Sequence, residues 1–220
     1  MGLRELSLRE EYRSDRDDIV SEFFVPCLSN CIEYDRCIEN ISVKSLSTLA
    51  LGFENFSKNQ AKMRIITGHR FRASDLNLLS KLMSNGEDVA IKGGGFIIDS
   101  KVRMLKDIVD NYKLEIKIAI PNSEEVVGSF SEKIGIFLDE NDDAVAFTGT
   151  SSETFNVQNK NFESVDVFTS WNDKSRVETK IKDFEELWEN KTKYVEVYDY
   201  KYAERNNLLK YSTQWALEFT

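Results

Sequence analysis

The sequence predicts a layered α/β domain, a mixed β-sheet covered by helices on both faces. Three observations predict it. Apolar runs of strand length alternate along the chain with amphipathic runs at helical spacing. Two strand-like runs, 131–138 and 144–152, flank the acidic stretch 139–143 and form a β-hairpin pattern. Hydrophobic residues make up 41% of the 220, with only two prolines, which is enough for one sizeable core and argues against disorder.

Taken in order, residues 1–13 read as a polar lead-in, 14–200 as the domain, and 201–220 as a tail or the start of a linker to a further domain. Ser14 is placed to cap a first helix that carries Ile19, Phe23, Phe24 and Cys27, and Pro26 should kink or split it. A first strand is expected at 38–43, then a helix over 45–56. Residues 63–67 form a short strand ending on Gly68-His69-Arg70. Ser74 caps a helix with Leu76, Leu79, Leu82 and Met83 on its inner side. A strand at 89–91, the triplet Gly93-Gly94-Gly95 and a helix over 101–112 follow. The triplet matches neither G-x-G-x-x-G nor a P-loop and reads as a loop. Strands are expected at 114–120, 163–169 and 194–198, and a helix from Asn172-Asp173 carries Val177, Ile181, Phe184, Leu187 and Trp188. Leu208, Leu209, Tyr211 and Trp215 give the tail enough apolar weight either to dock on the core or to lead onward.

No run of about eighteen apolar residues is present, so no membrane span is expected. The first residues lack an apolar signal core, and the expectation is a cytoplasmic protein. Cys27, Cys31 and Cys37 lie close together without a histidine or fourth cysteine, so free thiols are expected rather than a metal site. The net charge of -9 does not advertise nucleic-acid binding. The charge is uneven, however: residues 58–113 hold eleven Lys/Arg against six Asp/Glu, leaving a basic middle in an acidic chain.

The hairpin concentrates the chemistry. With pairing centred on Asn141, Lys133 lies opposite Gly149 and Ser131 opposite Ser151. Strand alternation puts Ser131, Lys133, Gly135 and Phe137 on one face. Gly135 would keep that face low beside the lysine, and Gly149 would let backbone approach a ligand. A cation, hydroxyls and exposed amides suit a phosphate.

This stretch resembles the phospholipase D superfamily signature, H-x-K, an Asp a few residues on, and G-S-x-N. Aligned on Lys133, Ser131 stands where the family's nucleophilic His is expected, and Asp139 falls one residue late. Gly149-Thr150-Ser151-Ser152 stands for G-S-x-N, with Ser152 in place of Asn. Asn161-Phe162-Glu163 resembles N-x-E, whose acid orients a partner histidine. The wording around 148–154 and 161–171 is similar to phospholipase D-like domains ahead of bacterial helicases and in some restriction nucleases. The resemblance implies a metal-independent, cofactor-free phosphodiesterase fold. Ser131, Lys133 and Glu163 would hold the catalytic places. Lys133, Gly149, Thr150, Ser151, Ser152, Asn161 and Arg70 would bind phosphate. It implies nucleic acid as partner, DNA before RNA, a homodimer that pools one motif from each chain, and a helicase domain or subunit as a further partner.

Serine at position 131 implies impaired catalysis, because an unactivated hydroxyl is essentially un-ionised at neutral pH. Two alternatives stand beside this reading. One is a live nuclease that uses another residue, with His69, the sole histidine, beside Arg70 and Arg72. The other is a non-catalytic dimerisation or interaction module.

Overall fold

The computed structural model describes residues 2–41, 61–83, 114–122, 128–149, 155–156, 159–160 and 162–212. The strands among them are β1 (Glu11–Arg13), β2 (Glu33–Ile38), β3 (Lys62–Gly68), β4 (Arg70–Arg72), β5 (Leu114–Pro121), β6 (Ile134–Leu138), β7 (Ala144–Gly149), β8 (Phe155–Asn156), β9 (Asn159–Lys160), β10 (Ser164–Thr169), β11 (Val195–Asp199) and β12 (Lys210–Ser212). The helices are α1 (Val25–Asn30), α2 (Ala73–Met83), α3 (Lys174–Trp188) and α4 (Tyr200–Arg205).

Eight strands form one mixed sheet in the order β1-β10-β7-β6-β2-β3-β5-β11. Its middle is the parallel trio β2, β3 and β5, and antiparallel strands extend it on both sides. Helices cover both faces, as the sequence predicts. Against one face pack Phe23, Phe24, Cys27 and Leu28 of the first helical segment, Leu79 and Leu82 of α2, and Tyr200 and Ala203 of α4. Against the other packs α3, through Val177, Phe184 and Leu187 onto Ile134, Ile136, Ala144 and Ala146. Phe137 stacks on Tyr34 at 4.6 Å and lies 5.7 Å from Phe147, and Phe23 and Phe24 meet these rings edge-on. Aromatic pairs of this kind add about 0.5–1.5 kcal/mol each beyond their buried area.

Three expectations need correcting. β1 comes first, and the strand expected at 38–43 lies earlier in the chain, as β2 at Glu33–Ile38. It sits in the middle of the sheet, buried on both faces, and carries the buried charges Asp35 and Arg36, which disguise it as a loop. Ser14 caps no helix; its backbone N–H donates to Glu163 O at 3.0 Å. Asp18 takes the capping role, accepting from the N–H and hydroxyl of Ser21. Pro26 does split the helix, into a wide π segment (Val20–Phe24) and α1. Residues 3–13 are no loose lead-in: Leu3 is buried, and β1 pairs antiparallel with β10.

The tail docks. β12 pairs in parallel with β4, and Leu208 and Leu209 pack on the core. The expected helices over 45–56 and 101–112, the strand at 89–91 and the glycine triplet lie outside the described residues.

Candidate functional site

The carboxyl ends of the three parallel strands define one edge of the sheet, the place where open α/β sheets bind ligands. β2 ends there at Ile38 and β3 at Gly68. β6 runs antiparallel to β2, so its start, just after Lys133, lies at the same edge. β7 ends there at Gly149, and β10 starts beside it, with Val165 opposite Gly149. The topology therefore gathers Ser131, Lys133, Gly149, Glu163 and His69-Arg70 along a single edge.

The hairpin register is as expected. Ile134 pairs with Thr148 and Gly135 with Phe147, so the next pair along would be Lys133 with Gly149. Regular pairing stops at Ile134. Ser131 and Glu132 are exposed and Lys133 is half-buried just ahead of the strand. Lys133 makes no hydrogen bond or ion pair among the described residues.

Gly149 has φ +115°, and a Cβ there would lie 2.2 Å from Ser164 O, so only glycine lets β7 close against β10 at this point. Gly135 plays a different part from the one expected. The Phe147 ring fills the space above it, with ring carbons 2.0 Å from where a Cβ would be. That face is packed rather than open. Arg36, paired with Gly135, is buried beside the same ring, its guanidinium carbon 5.0 Å from the centroid and Nη1 donating to Ile134 O at 3.2 Å. This buried arginine beside Gly135 and Phe147 is a feature that sequence reasoning missed.

A small pocket lies at the same edge, lined by Glu39, Asn40, Gly68, His69, Arg70, Ser129 and Phe130. Ser129 donates to Glu39 at 3.4 Å. With its amide nitrogen turned to the carbonyls, Asn40 donates to Arg70 O at 2.9 Å. These bonds tie the segment ahead of Ser131 and the backbone at Arg70 to the end of β2. His69 is 6% exposed. Burial foremost, then the charges of Lys210 and Arg70, hold its imidazole below the usual range, so it is neutral at physiological pH.

Not every signature position belongs to this edge. Asp139 sits at the opposite end of β6, buried at the hairpin turn. It accepts from the N–H groups of Leu3 at 2.7 Å, Asn141 at 2.9 Å and Asp143 at 3.1 Å. It shapes the turn and anchors the N-terminal segment. The backbone N–H of Glu163 donates to the Ser14 hydroxyl at 3.0 Å, which pins the start of β10 to the end of β1. Thr150, Ser151, Ser152 and Asn161 lie outside the described residues.

The larger cavity, ≈680 Å³, is elsewhere, between residues 6–11 and the start of α3. None of the expected site residues lines it, and its arginines Arg9 and Arg176 already pair with Asp17 and Asp173. The three cysteines are buried free thiols, and burial pushes the thiol of Cys27 well up, which keeps it unreactive. No group of metal-ligating side chains forms among the described residues, and no helix among them is long and apolar enough to cross a membrane.

No family model and no curated protein matches the chain. Among solved structures it is similar to NucT from Helicobacter pylori, at 12% identity over 86% of this chain and 97% of that one, with a TM-score of 0.46. It is also similar to polyphosphate kinase from Porphyromonas gingivalis, at 9% identity over 80% of this chain and 25% of that one, TM-score 0.45. A yeast tyrosyl-DNA phosphodiesterase mutant is similar at 11% identity over 71% and 30%, TM-score 0.38.

Proposed function

We propose that this chain is a phospholipase D-like domain that binds nucleic-acid phosphate at the carboxyl edge of its sheet and is impaired in catalysis. One observation carries the reading: Lys133 is half-buried and without a counter-ion among the described residues, at the edge where Gly149 brings the hairpin backbone in close. A half-buried ammonium with no internal partner is stabilised by an external anion, and a phosphate oxygen is the anion that the surrounding signature suits. Ser131, exposed two residues away, supplies a hydroxyl with no base beside it among the described residues. In this reading Thr150, Ser151, Ser152 and Asn161 complete the phosphate cradle, two chains pool their single motifs in a homodimer, and a helicase domain or subunit is the companion.

A second reading, a live phosphodiesterase, has its own observation. His69 shares a pocket with Phe130, one residue from Ser131, and is held neutral, as a nucleophile or base must be. Its burial counts against it.

The test is binding of oligonucleotides across a salt series. The parent chain's log affinity should fall with log salt, and Lys133→Ala should weaken binding and flatten the slope by about one phosphate contact. Absence of binding at low salt would refute the proposal. Metal-independent cleavage that disappears in His69→Ala would establish the second reading instead.

A further inference from the structure

The larger cavity borders a stretch of β10 that β1 leaves open. β1 covers only Ser164, Val165 and Asp166 of that strand. Val167 N–H still donates to Glu10 O at 2.8 Å. Upstream of Glu10 the chain turns on itself: Arg9 N–H donates to the Tyr12 hydroxyl at 3.1 Å and Leu8 N–H to Leu6 O at 3.0 Å. On the other side of β10, Ser170 N–H donates to Ala144 O at 2.9 Å. Backbone groups alternate sides along a strand, so Thr169 N–H, like that of Val167, points away from β7. No carbonyl among the described residues receives it. The buried Thr169 hydroxyl has no partner among them either, and orphaned buried groups of this kind are rare in folded chains.

The cavity, ≈680 Å³, is lined along this edge by Val167, Phe168 and Thr169, and its size is that of a ligand pocket, about 300–1,000 Å³. Its walls differ on the two sides of the sheet. Alternation turns Val165 and Val167 to the α1 face and Asp166 and Phe168 to the α3 face. Leu6, Leu8 and Trp171 line the cavity and pack on the core of the α1 face. On the α3 side most charges are already committed. Arg176 pairs with Asp173 and lies over the Phe168 ring at 4.5 Å, and Glu11 pairs with Arg16. Asp166 is exposed and has no ion-pair partner among the described residues.

We propose that this cavity is a docking groove for an extended peptide segment that adds to the edge of β10 and carries a lysine or arginine between two apolar residues. A carbonyl of the peptide accepts from Thr169 N–H, as in strand addition to a sheet edge. Its side chains then alternate between the two faces. The basic one meets the Asp166 carboxylate, and its neighbours lie against Leu6, Leu8 and Trp171. Charge on one side and an apolar wall on the other set this pattern. A small cation would answer Asp166 and leave the Thr169 N–H unpaired. The inference stands apart from the phosphate site, since neither Lys133 nor His69 lines this cavity.

The experiment is fluorescence anisotropy of the full chain with a labelled pentapeptide, Val-Lys-Val-Lys-Val, and with Lys-Lys-Val-Val-Val, which has the same composition and charge. The alternating peptide should bind more tightly by roughly two- to tenfold, the worth of one edge hydrogen bond. Asp166→Asn should weaken it about two- to fivefold, as for an exposed ion pair, and Lys133→Ala should bind it like the parent. Saturating peptide should slow hydrogen exchange at the Thr169 amide by about twofold or more. Equal affinity for the two peptides, or an unchanged Thr169 amide, would overturn the edge pairing. Asp166→Asn matching the parent would overturn the place given to the basic side chain. Competition by lysine amide as effective as that by the pentapeptide would make this a small-cation site instead. No binding of the alternating peptide at low salt would refute the groove, whatever the oligonucleotide series shows.

Discussion

The two ends of the central sheet treat charge in opposite ways. At the amino end, Arg64 is surrounded by three carboxylates. It meets Asp35 through Nε at 2.7 Å and Nη2 at 2.6 Å, Glu185 at 2.6 Å and Glu33 at 2.8 Å, and stacks over Phe184 and Trp188. Lys62 adds a second cation on Glu33. At the carboxyl end, Lys133, Arg70, Arg72 and Lys210 have no such partners among the described residues. The cluster around Arg64 satisfies itself and resists change because it is buried. The cations at the other end keep their charge available to an anion from outside. Polarity alone therefore does not mark a site; polarity left unneutralised does.

The largest contrast should come from rebuilding the carboxyl end. Ser131→His with Ser152→Asn recreates the H-x-K and G-x-x-N pattern on a hairpin whose observed register, carried one pair beyond Ile134 and Thr148, would set position 133 opposite 149. Removing a catalytic nucleophile usually costs several orders of magnitude, and restoring one should recover a measurable part of that. Imidazole titrates near neutrality, so one ring can attack while its counterpart in a dimer protonates the leaving oxygen. The expected outcome is weak, EDTA-resistant cleavage of bis-nitrophenyl phosphate, less from Ser131→His alone, by a chain that light scattering shows to be dimeric. A folded, dimeric double variant with no turnover above the parent would favour the interaction-module alternative.

Next in size is damage to the amino end. Arg64→Met strands three carboxylates, two of them largely buried, and should cost about 3–5 kcal/mol in unfolding free energy by urea denaturation. Lys133→Ala, which breaks no internal bond among the described residues, should change stability by less than about 0.5 kcal/mol. Equal losses in the two variants would erase the distinction between the two ends.

The carboxyl edge was legible in the sequence because hairpins carry a local signal. The runs on either side of 139–143 fix the register, and the register fixes which residue faces which. The register observed from Ile134 with Thr148 to Leu138 with Ala144 could be read on that ground alone. The amino end was not legible. Asp35, Arg36 and Arg64 satisfy one another or pack on rings from helices and strands far along the chain, and no spacing in the sequence announces Arg64 with Glu185. The same buried charges broke the apolar pattern of β2 and shifted the expected strand by several residues. Asp139 misled in the other direction: it fits a signature by position, yet its bonds are those of a turn. The parallel pairing of β12 with β4 is equally long-range, and periodicity does not reveal it.

The smallest effect is a pH dependence set inside the closed cluster. Burial raises the carboxyl of Asp35 from 3.8 to about 6, and the fork from Arg64 only partly offsets it, because Glu33 and Glu185 claim the same guanidinium. The folded chain therefore binds this proton more tightly than the unfolded chain does. The stability it contributes is present in full below about pH 4 and is lost as pH rises through about 6. Asp35→Asn removes this one titration and leaves the other carboxylates in place, so the difference between parent and variant isolates it. Urea unfolding at about pH 4 and pH 7 should show the parent losing about 1–3 kcal/mol relative to the variant as pH rises. The sign is what matters. Were Arg64 to outweigh burial, the carboxyl would lie below 3.8, and the parent would gain on the variant from pH 2 to 4 and then hold level. A flat or rising difference would show that the amino-end cluster is a strong ion pair. A falling one would show that it is closed by packing and shared charge at a cost in stability.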